Sequence, residues 1–297
     1  MARWPSFSED GFRRNESAAG QRMIYRTHIP PPPLSSFVEW LWFYDGYQPG
    51  YDRERLLPHG SMELVIDLRA HPKRLFDRED QSRSRSFRNA WISGAHSRYI
   101  VIEVAKDSSM MGVHFRPGGA YPFFPFPMTD LQDGVEEIET IWGQEAILLR
   151  DQLLELPTIQ QKFRALEQFL LRRARRPLSH SEAFAHSLAT LNSTPHQQTI
   201  RQVAQGLGIS HKTLIETFAA RVGLTPKLFC RIRRFQTVLR EIQDLQAVDW
   251  VDLACSCGYY DQAHFVHDFQ AFSGMNPSRY LMERGEYLNY MEHREQR

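Results

Sequence analysis

Cysteine is nearly missing from this chain, with Cys230, Cys255 and Cys257 the only three in 297 residues. So small and odd a number excludes a disulfide framework and suits a reducing compartment, which makes the cytoplasm the expected location. Cys255 and Cys257 do not suggest zinc, because residues two apart on a helix point in different directions and Cys230 is the sole further thiol. Long apolar runs are lacking too: none reaches the roughly 18 residues of a membrane span, so no membrane partner is expected. Residues 1–21 are polar, carry charges of both signs and hold no apolar stretch, which excludes a secretion signal and predicts a disordered segment. A charge excess is absent: 36 Lys and Arg against 35 Asp and Glu leave +1, so the chain is no indiscriminate nucleic-acid coat. No Ser/His/Asp or Cys/His set marks a nucleophilic enzyme. The length fits about two domains, and 42% hydrophobic residues suffice for packed cores.

What the chain does contain is a pattern written twice between residues 200 and 281. The first copy runs Ile200, Val203-Ala204, Gly208-Ile209-Ser210, Leu214, Phe218, Gly223, Thr225-Pro226 and Phe229. The second runs Val251, Leu253-Ala254, Gly258-Tyr259, Asp261, Phe265, Phe269, Gly274, Asn276-Pro277 and Tyr280. The spacing between copies grows by one residue across the turn and then stays constant. A small residue (Ala204, Ala254) lets a second helix cross closely. Gly208 and Gly258 fit the positive-φ position that ends the first helix, and Ser210 and Asp261 fit the N-cap of the next. Thr225-Pro226 and Asn276-Pro277 each read as an N-cap followed by proline at the first helical position. Two helix-turn-helix units follow. The plainer alternative is a helical bundle with no nucleic-acid partner, which does not call for paired turns with matched caps.

Charge divides the copies. From 200 to 240, Arg201, Lys212, Arg221, Lys227, Arg231, Arg233, Arg234 and Arg240 face Glu216 alone. From 241 to 284, Arg279 and Arg284 face Glu241, Asp244, Asp249, Asp252, Asp261, Asp268 and Glu283. Phosphate neutralisation supplies much of DNA affinity, so the first unit is the expected anchor.

These residues resemble the DNA-binding domain of the AraC/XylS family of bacterial transcription regulators over roughly 185–284. The second unit carries the closest correspondence: Leu253-Ala254, Gly258-Tyr259, Phe265 to Phe269, and Gly274-Met-Asn-Pro277-Ser-Arg-Tyr280. Where the family usually places basic residues after the second phenylalanine, this chain has Gln270-Ala271. The resemblance implies two recognition helices joined by a central helix, here about Pro226 to Leu245, entering successive major grooves of double-stranded DNA. With the apolar stripe buried, the first helix exposes His211, Lys212, Thr213, Glu216 and Thr217, and the second Gln262, Ala263, His264, His267 and Asp268. Arg221, Lys227 and Arg231 join them as candidate backbone contacts. By donor and acceptor pattern, Gln262 suits adenine, Lys212 guanine or phosphate, and Glu216 cytosine. An exposed polar residue on a helix is otherwise simply solvated.

Residues 23 to about 130 change character. Glu63–Leu68, Ala90–Ser93, Tyr99–Val104 and Met110–Phe115 read as short strands. Pro30–Pro33 reads as extended, and Leu34–Tyr44 as a turn entering a strand. Pro72–Arg88, charged and serine-rich, reads as a mobile loop. Leu131–Leu154 and Ile159–Arg176 carry helical periodicity. Leu57-Pro-His-Gly-Ser-Met-Glu63 and Gly112-Val-His-Phe-Arg-Pro-Gly-Gly119 resemble signatures of a small cupin-like group of sensor domains in such regulators. That resemblance implies an unknown small-molecule effector, a homodimer formed through the helices, or both, with RNA polymerase as a further partner. Candidate effector residues are Trp42, His59, Glu63, His114 and Arg116, the last through its planar fork. The plain reading makes Trp40, Trp42 and Trp91 core and Arg116 a surface turn. His59, His96 and His114 lack the spacing of a metal-binding cupin, so no metal or cofactor is expected.

The expected fold class is α+β in two domains: a β-rich cupin-like sensor domain with C-terminal helices (22–176) and an all-α double helix-turn-helix domain (177–284), with a polar tail at 285–297. The expected function is sequence-specific transcription regulation. Two alternatives remain: an enzyme or DNA-repair protein carrying an AraC-type module, and a ligand-binding protein that has lost DNA binding. Alkyl-transfer repair would call for an N-terminal zinc-held cysteine, whereas every cysteine here lies at or beyond Cys230.

Overall fold

Alternation along one strand organises the front half. In Val38–Tyr47, Leu41 and Phe43 point into the main core, while Trp40, Trp42 and Tyr44 project from the opposite face, as the two-residue period of a strand requires. The computed structural model describes residues 15–16, 22–69, 71–285 and 287–293. Its strands are β1 (Asn15–Glu16), β2 (Arg22–His28), β3 (Val38–Tyr47), β4 (Arg53–Leu56), β5 (Glu63–Asp67), β6 (Lys73–Phe76), β7 (Ser84–Phe87), β8 (Ala90–Ser93), β9 (Ile100–Glu103), β10 (Ser108–Phe115), β11 (Val135–Glu137) and β12 (Tyr290–Glu292). They form two antiparallel sheets, one ordered β1-β2-β3-β10-β5-β8-β11 and the other β12-β4-β9-β6-β7.

Helices α1 (Ile138–Trp142), α2 (Gln144–Glu155) and α3 (Ile159–Arg173) follow the sheets. The back half is α4 (Glu182–Ser193), α5 (Ile200–Gly206), α6 (His211–Val222), α7 (Pro226–Glu241), α8 (Trp250–Ser256), α9 (Gln262–Ser273) and α10 (Pro277–Glu283). The expected α+β architecture holds, with a β-rich front and an all-α back. Both turns form as the repeat requires. Gly208 and Gly258 take φ of +66° and +79°. Ser210 Oγ accepts from the Thr213 N–H and Asp261 Oδ1 from the His264 N–H, satisfying free amides at each helix start.

Three expectations need correction. Pro72–Arg88 is no loose loop but contains the β6–β7 hairpin. Lys73, Phe76 and Phe87 turn inward, and the guanidinium groups of Arg53 and Arg74 lie over the Phe76 ring at 4.0 and 5.3 Å, so arginines cover the hairpin through cation–ring contacts. Leu131–Leu154 is not one helix: β11, α1 and α2 interrupt it, with a turn at Gly143. Pro33 adopts right-handed helical angles and leads into a 3-10 turn at Leu34–Ser36 instead of staying extended. Within the segment read as a polar tail, β12 pairs with β4, opposing Tyr290 to Leu56 and Glu292 to Glu54. Of the segment expected to be disordered, β1 pairs with β2, and residues 1–14 and 17–21 lie outside the described residues.

The halves share one apolar core reaching from Leu34 to Met291. Polar contacts cross the same seam. The Tyr99 N–H donates to the Phe272 carbonyl at 3.0 Å, Arg55 Nη1 to that of Ser273 at 2.7 Å, and Gln236 Nε2 to that of Pro58 at 2.8 Å. Among the described residues no helix is long and apolar enough to cross a membrane.

Candidate DNA-reading face and ligand cavity

The first two turns of α6 are open to solvent. His211, Lys212, Thr213 and Glu216 are exposed and Thr217 is half-buried; Lys212 Nζ lies 3.7 Å from Glu216 Oε1, a solvated pair one helical turn apart. On α9, Gln262, Ala263 and His267 are exposed and His264 is half-buried against the Tyr259 ring. Lys227, near the start of α7, is exposed. Arg221 is placed otherwise: its guanidinium stacks over Phe184 at 4.7 Å and Tyr121 at 5.6 Å, at the end of α6 that meets the front half.

Asp268, expected on the exposed face of α9, is 1% exposed. It accepts from Arg231 Nη2 at 2.6 Å and Nε at 3.1 Å, and Arg234 Nη2 lies 3.8 Å away. Arg231 therefore ties α7 to α9. Arg233 donates to the His59 carbonyl and burial pushes its guanidinium down to about 10. Arg234 donates to the Gly258 carbonyl and lies over the Tyr259 ring. Both charge imbalances read from the sequence thus shrink at the surface. Internal contacts take up Arg231, Arg233 and Arg234 of the central helix and Asp268, the single acid of α9.

Between the two sheets lies a cavity of about 230 Å³. Trp42, Tyr44 and Tyr47 of β3, Tyr25 of β2, Trp91 of β8 and Phe87 of β7 supply aromatic walls, and Tyr287 and Tyr290 close it from the C-terminal segment. Few polar groups enter, in the manner of a small-molecule site. Glu54, 5% exposed, accepts from the Tyr51 hydroxyl at 2.9 Å, and burial raises its carboxyl to about 7 against the lowering effect of Tyr51 and Tyr47. Glu63 accepts from Trp42 Nε1 at 2.7 Å. Lys73 Nζ donates to Ser108 Oγ at 3.0 Å, and burial lowers its pKa.

Of the residues singled out as effector contacts, Trp42 and Glu63 line this cavity. His59 and His114 sit behind Glu63: His114 Nδ1 lies 3.6 Å from Glu63 Oε1, its ring stacks on Trp40 at 4.3 Å, and His59 lies 5.0 Å from it. Burial holds His59 well below its ordinary pKa. Arg116 is outside, exposed and donating to the Ser35 carbonyl. Trp42 and Trp91, read as core, are cavity walls. Sequence reasoning missed Glu54, Lys73, Tyr44 and the tail tyrosines. The alternation Trp40, Trp42, Tyr44 carried a signal for the wall; nothing local marks Tyr290. Among the described residues no three His, Cys, Asp or Glu side chains gather as a metal would require.

Two capped helix pairs, each offering a polar helix to solvent from one central helix, define a helix-turn-helix DNA-binding domain. Residues 203–283 match a family described as a helix-turn-helix domain, and residues 26–137 a domain of unknown function, DUF6597. The C-terminal region therefore carries a helix-turn-helix domain. Among solved structures, ToxT from Vibrio cholerae is 8% identical, with 82% of this chain and 98% of that chain covered and a TM-score of 0.45. A DNA-binding transcriptional dual regulator from Escherichia coli K-12 is 21% identical over 36% of this chain and 95% of that one, with a TM-score of 0.30. The AraC-like transcriptional activator CuxR is 14% identical over 72% and 86%, with a TM-score of 0.23. A search of curated proteins returns no match.

Proposed function

We propose that α6 and α9 read successive major grooves and that a small molecule in the cavity biases how they are held. The observation that carries this reading is the C-terminal segment. After α10 it returns to the front sheet, where Tyr287 and Tyr290 line the cavity and β12 pairs with β4. Gln236 of the central helix donates to Asn289 Oδ1 on the same segment at 2.7 Å. A ligand that moves those tyrosines thereby acts on α7 and α10 through direct contact, giving the two states different affinities for it.

In this reading His211, Lys212, Thr213, Glu216 and Thr217 face one groove and Gln262, Ala263, His264 and His267 the next, with Lys227 on phosphate. Arg231 positions the second helix without touching DNA, and Arg221 packs on the front domain. Leu148, Leu154 and Leu171 are exposed on α2 and α3, which supports a second copy packing there; RNA polymerase is the downstream partner and the cytoplasm the compartment. The role is regulatory, not enzymatic. Against alkyl transfer, burial raises the Cys230 thiol to about 11 and raises that of Cys257, disfavouring the reactive thiolate.

Selection of bound sequences from a random DNA pool with the full chain tests the reading. Two half-sites one duplex turn apart, about 10–10.5 base pairs centre to centre, are the expected outcome. Enrichment of no sequence, or of one half-site with no fixed neighbour, refutes it.

A further inference from the structure

We propose that the cavity takes an amphipathic organic cation, an ammonium or other onium head on an apolar body, with Glu54 and Glu63 as its counter-charges. The proposal deepens, and rests on, the reading of this cavity as the effector site. Two independent features carry it.

The first is the state of the carboxylates. Glu54 is 5% exposed and receives hydrogen bonds from Tyr51 and Tyr47, which are neutral donors. Glu63 receives the Trp42 indole N–H, and its nearest basic group is the His114 imidazole at 3.6 Å. Among the described residues neither is paired with Lys or Arg, although burying an unpaired carboxylate is costly. The two cations on the cavity wall are engaged elsewhere. Arg74 binds Glu103 at 2.7 Å. Lys73 donates to Ser108, and the acids that act on it are Asp67 and Glu103.

The second feature is the wall. Tyr25, Trp42, Tyr44, Phe87, Trp91 and Tyr290 surround the space, and the negative face of an aromatic ring attracts a cation most strongly where water is excluded. Carboxylates and ring faces act in the same direction on an onium group, and the apolar lining accepts its body. An anionic ligand would meet both as repulsion and find Lys73 alone as support.

The test uses the full chain and three probes of matched body: octyltrimethylammonium, octanol and octanoate. Binding is followed by quenching of the wall tryptophans and by calorimetry, below micelle-forming concentrations. The cation is expected to bind at least about tenfold more tightly than either of the others, a margin consistent with desolvated cation–ring contact. Glu54→Gln and Glu63→Gln are each expected to reduce the preference for the cation over octanol by about tenfold, with circular dichroism confirming the fold. Arg116→Ala, outside the cavity, is the control and leaves all three affinities unchanged. Tightest binding by octanoate overturns the cation assignment and makes Lys73 the anchor while leaving an effector cavity in place. Equal affinities overturn it too. If none of the three binds, both the cation assignment and the cavity's role as effector site fall, whereas DNA reading stands or falls separately on sequence selection.

Discussion

Replacing Asp268 by alanine would test whether the central and second recognition helices are held by charge. The carboxylate is 1% exposed and faces Arg231 at 2.6 Å with Arg234 3.8 Å away. Removing one partner of a fully buried ion pair costs about 3–5 kcal/mol. The Arg231 side chain is 30% exposed, however, so water rehydrates part of the orphaned charge and the expected loss falls to about 2–3 kcal/mol. Arg231→Ala leaves the buried anion with Arg234 and the imidazoles of His264 and His267, each no nearer than 3.7 Å, a comparable loss. The double variant should then be less damaging than the sum of the singles, with a coupling of at least about 1.5 kcal/mol. Urea unfolding of the full chain measures all four corners. A coupling under about 0.5 kcal/mol, the usual error of additivity, would refute the claim that this pair fixes α9 on α7.

Lys212→Ala and Lys227→Ala should each lower the slope of log affinity for DNA against log salt by about 0.9, one released counterion, in mobility shifts; Arg231→Ala should weaken binding with the slope unchanged, and an equal drop would return it to the phosphate contacts. Glu54, raised to about 7 from an ordinary 4.5, binds its proton more tightly folded than unfolded. Its stabilising contribution is complete below about pH 4.5 and is lost as pH rises through about 7, a change of order 3 kcal/mol. The titratable groups that interact with it are Tyr44, Tyr47, Tyr51 and Tyr290, with Glu63 and Tyr287 lining the same cavity. Glu54→Gln should flatten that segment of the stability profile, and an unchanged profile would show another group to be responsible. Gly274→Ala would place a methyl in the Tyr99 ring at a φ of +73°. It should cost at least about 1–2 kcal/mol, seen as a lower melting midpoint that Tyr99→Ala partly restores.

The reader domain was legible because its determinants are local: Ser210 caps within three residues, and Gly208 and Gly258 mark their own turns. The exposed face of α6 followed from its apolar stripe. Asp268 was misjudged because helical phase alone does not reveal a partner 37 positions earlier on another helix. Pro72–Arg88 was misread since arginine counts as polar in any pattern, although the guanidinium groups of Arg74 and Arg85 lie over the Phe76 and Phe87 rings. Of the candidate ligand residues, Trp42 and Glu63 reach the cavity because strand alternation sends them to one face. Arg116 does not, since its position after β10 carries no such phase. The tail was opaque for a different reason: Tyr290 acquires its place by pairing with a strand more than 230 residues away.

That pairing has a consequence for assembly. Ribosomes release the front strands first, yet the edge of the sheet at β4 stays bare and the cavity stays open on one side until residues beyond α10 emerge. A fragment ending before Tyr287 would offer that edge to any other extended chain. The cavity is closed only once both helix-turn-helix units have been made.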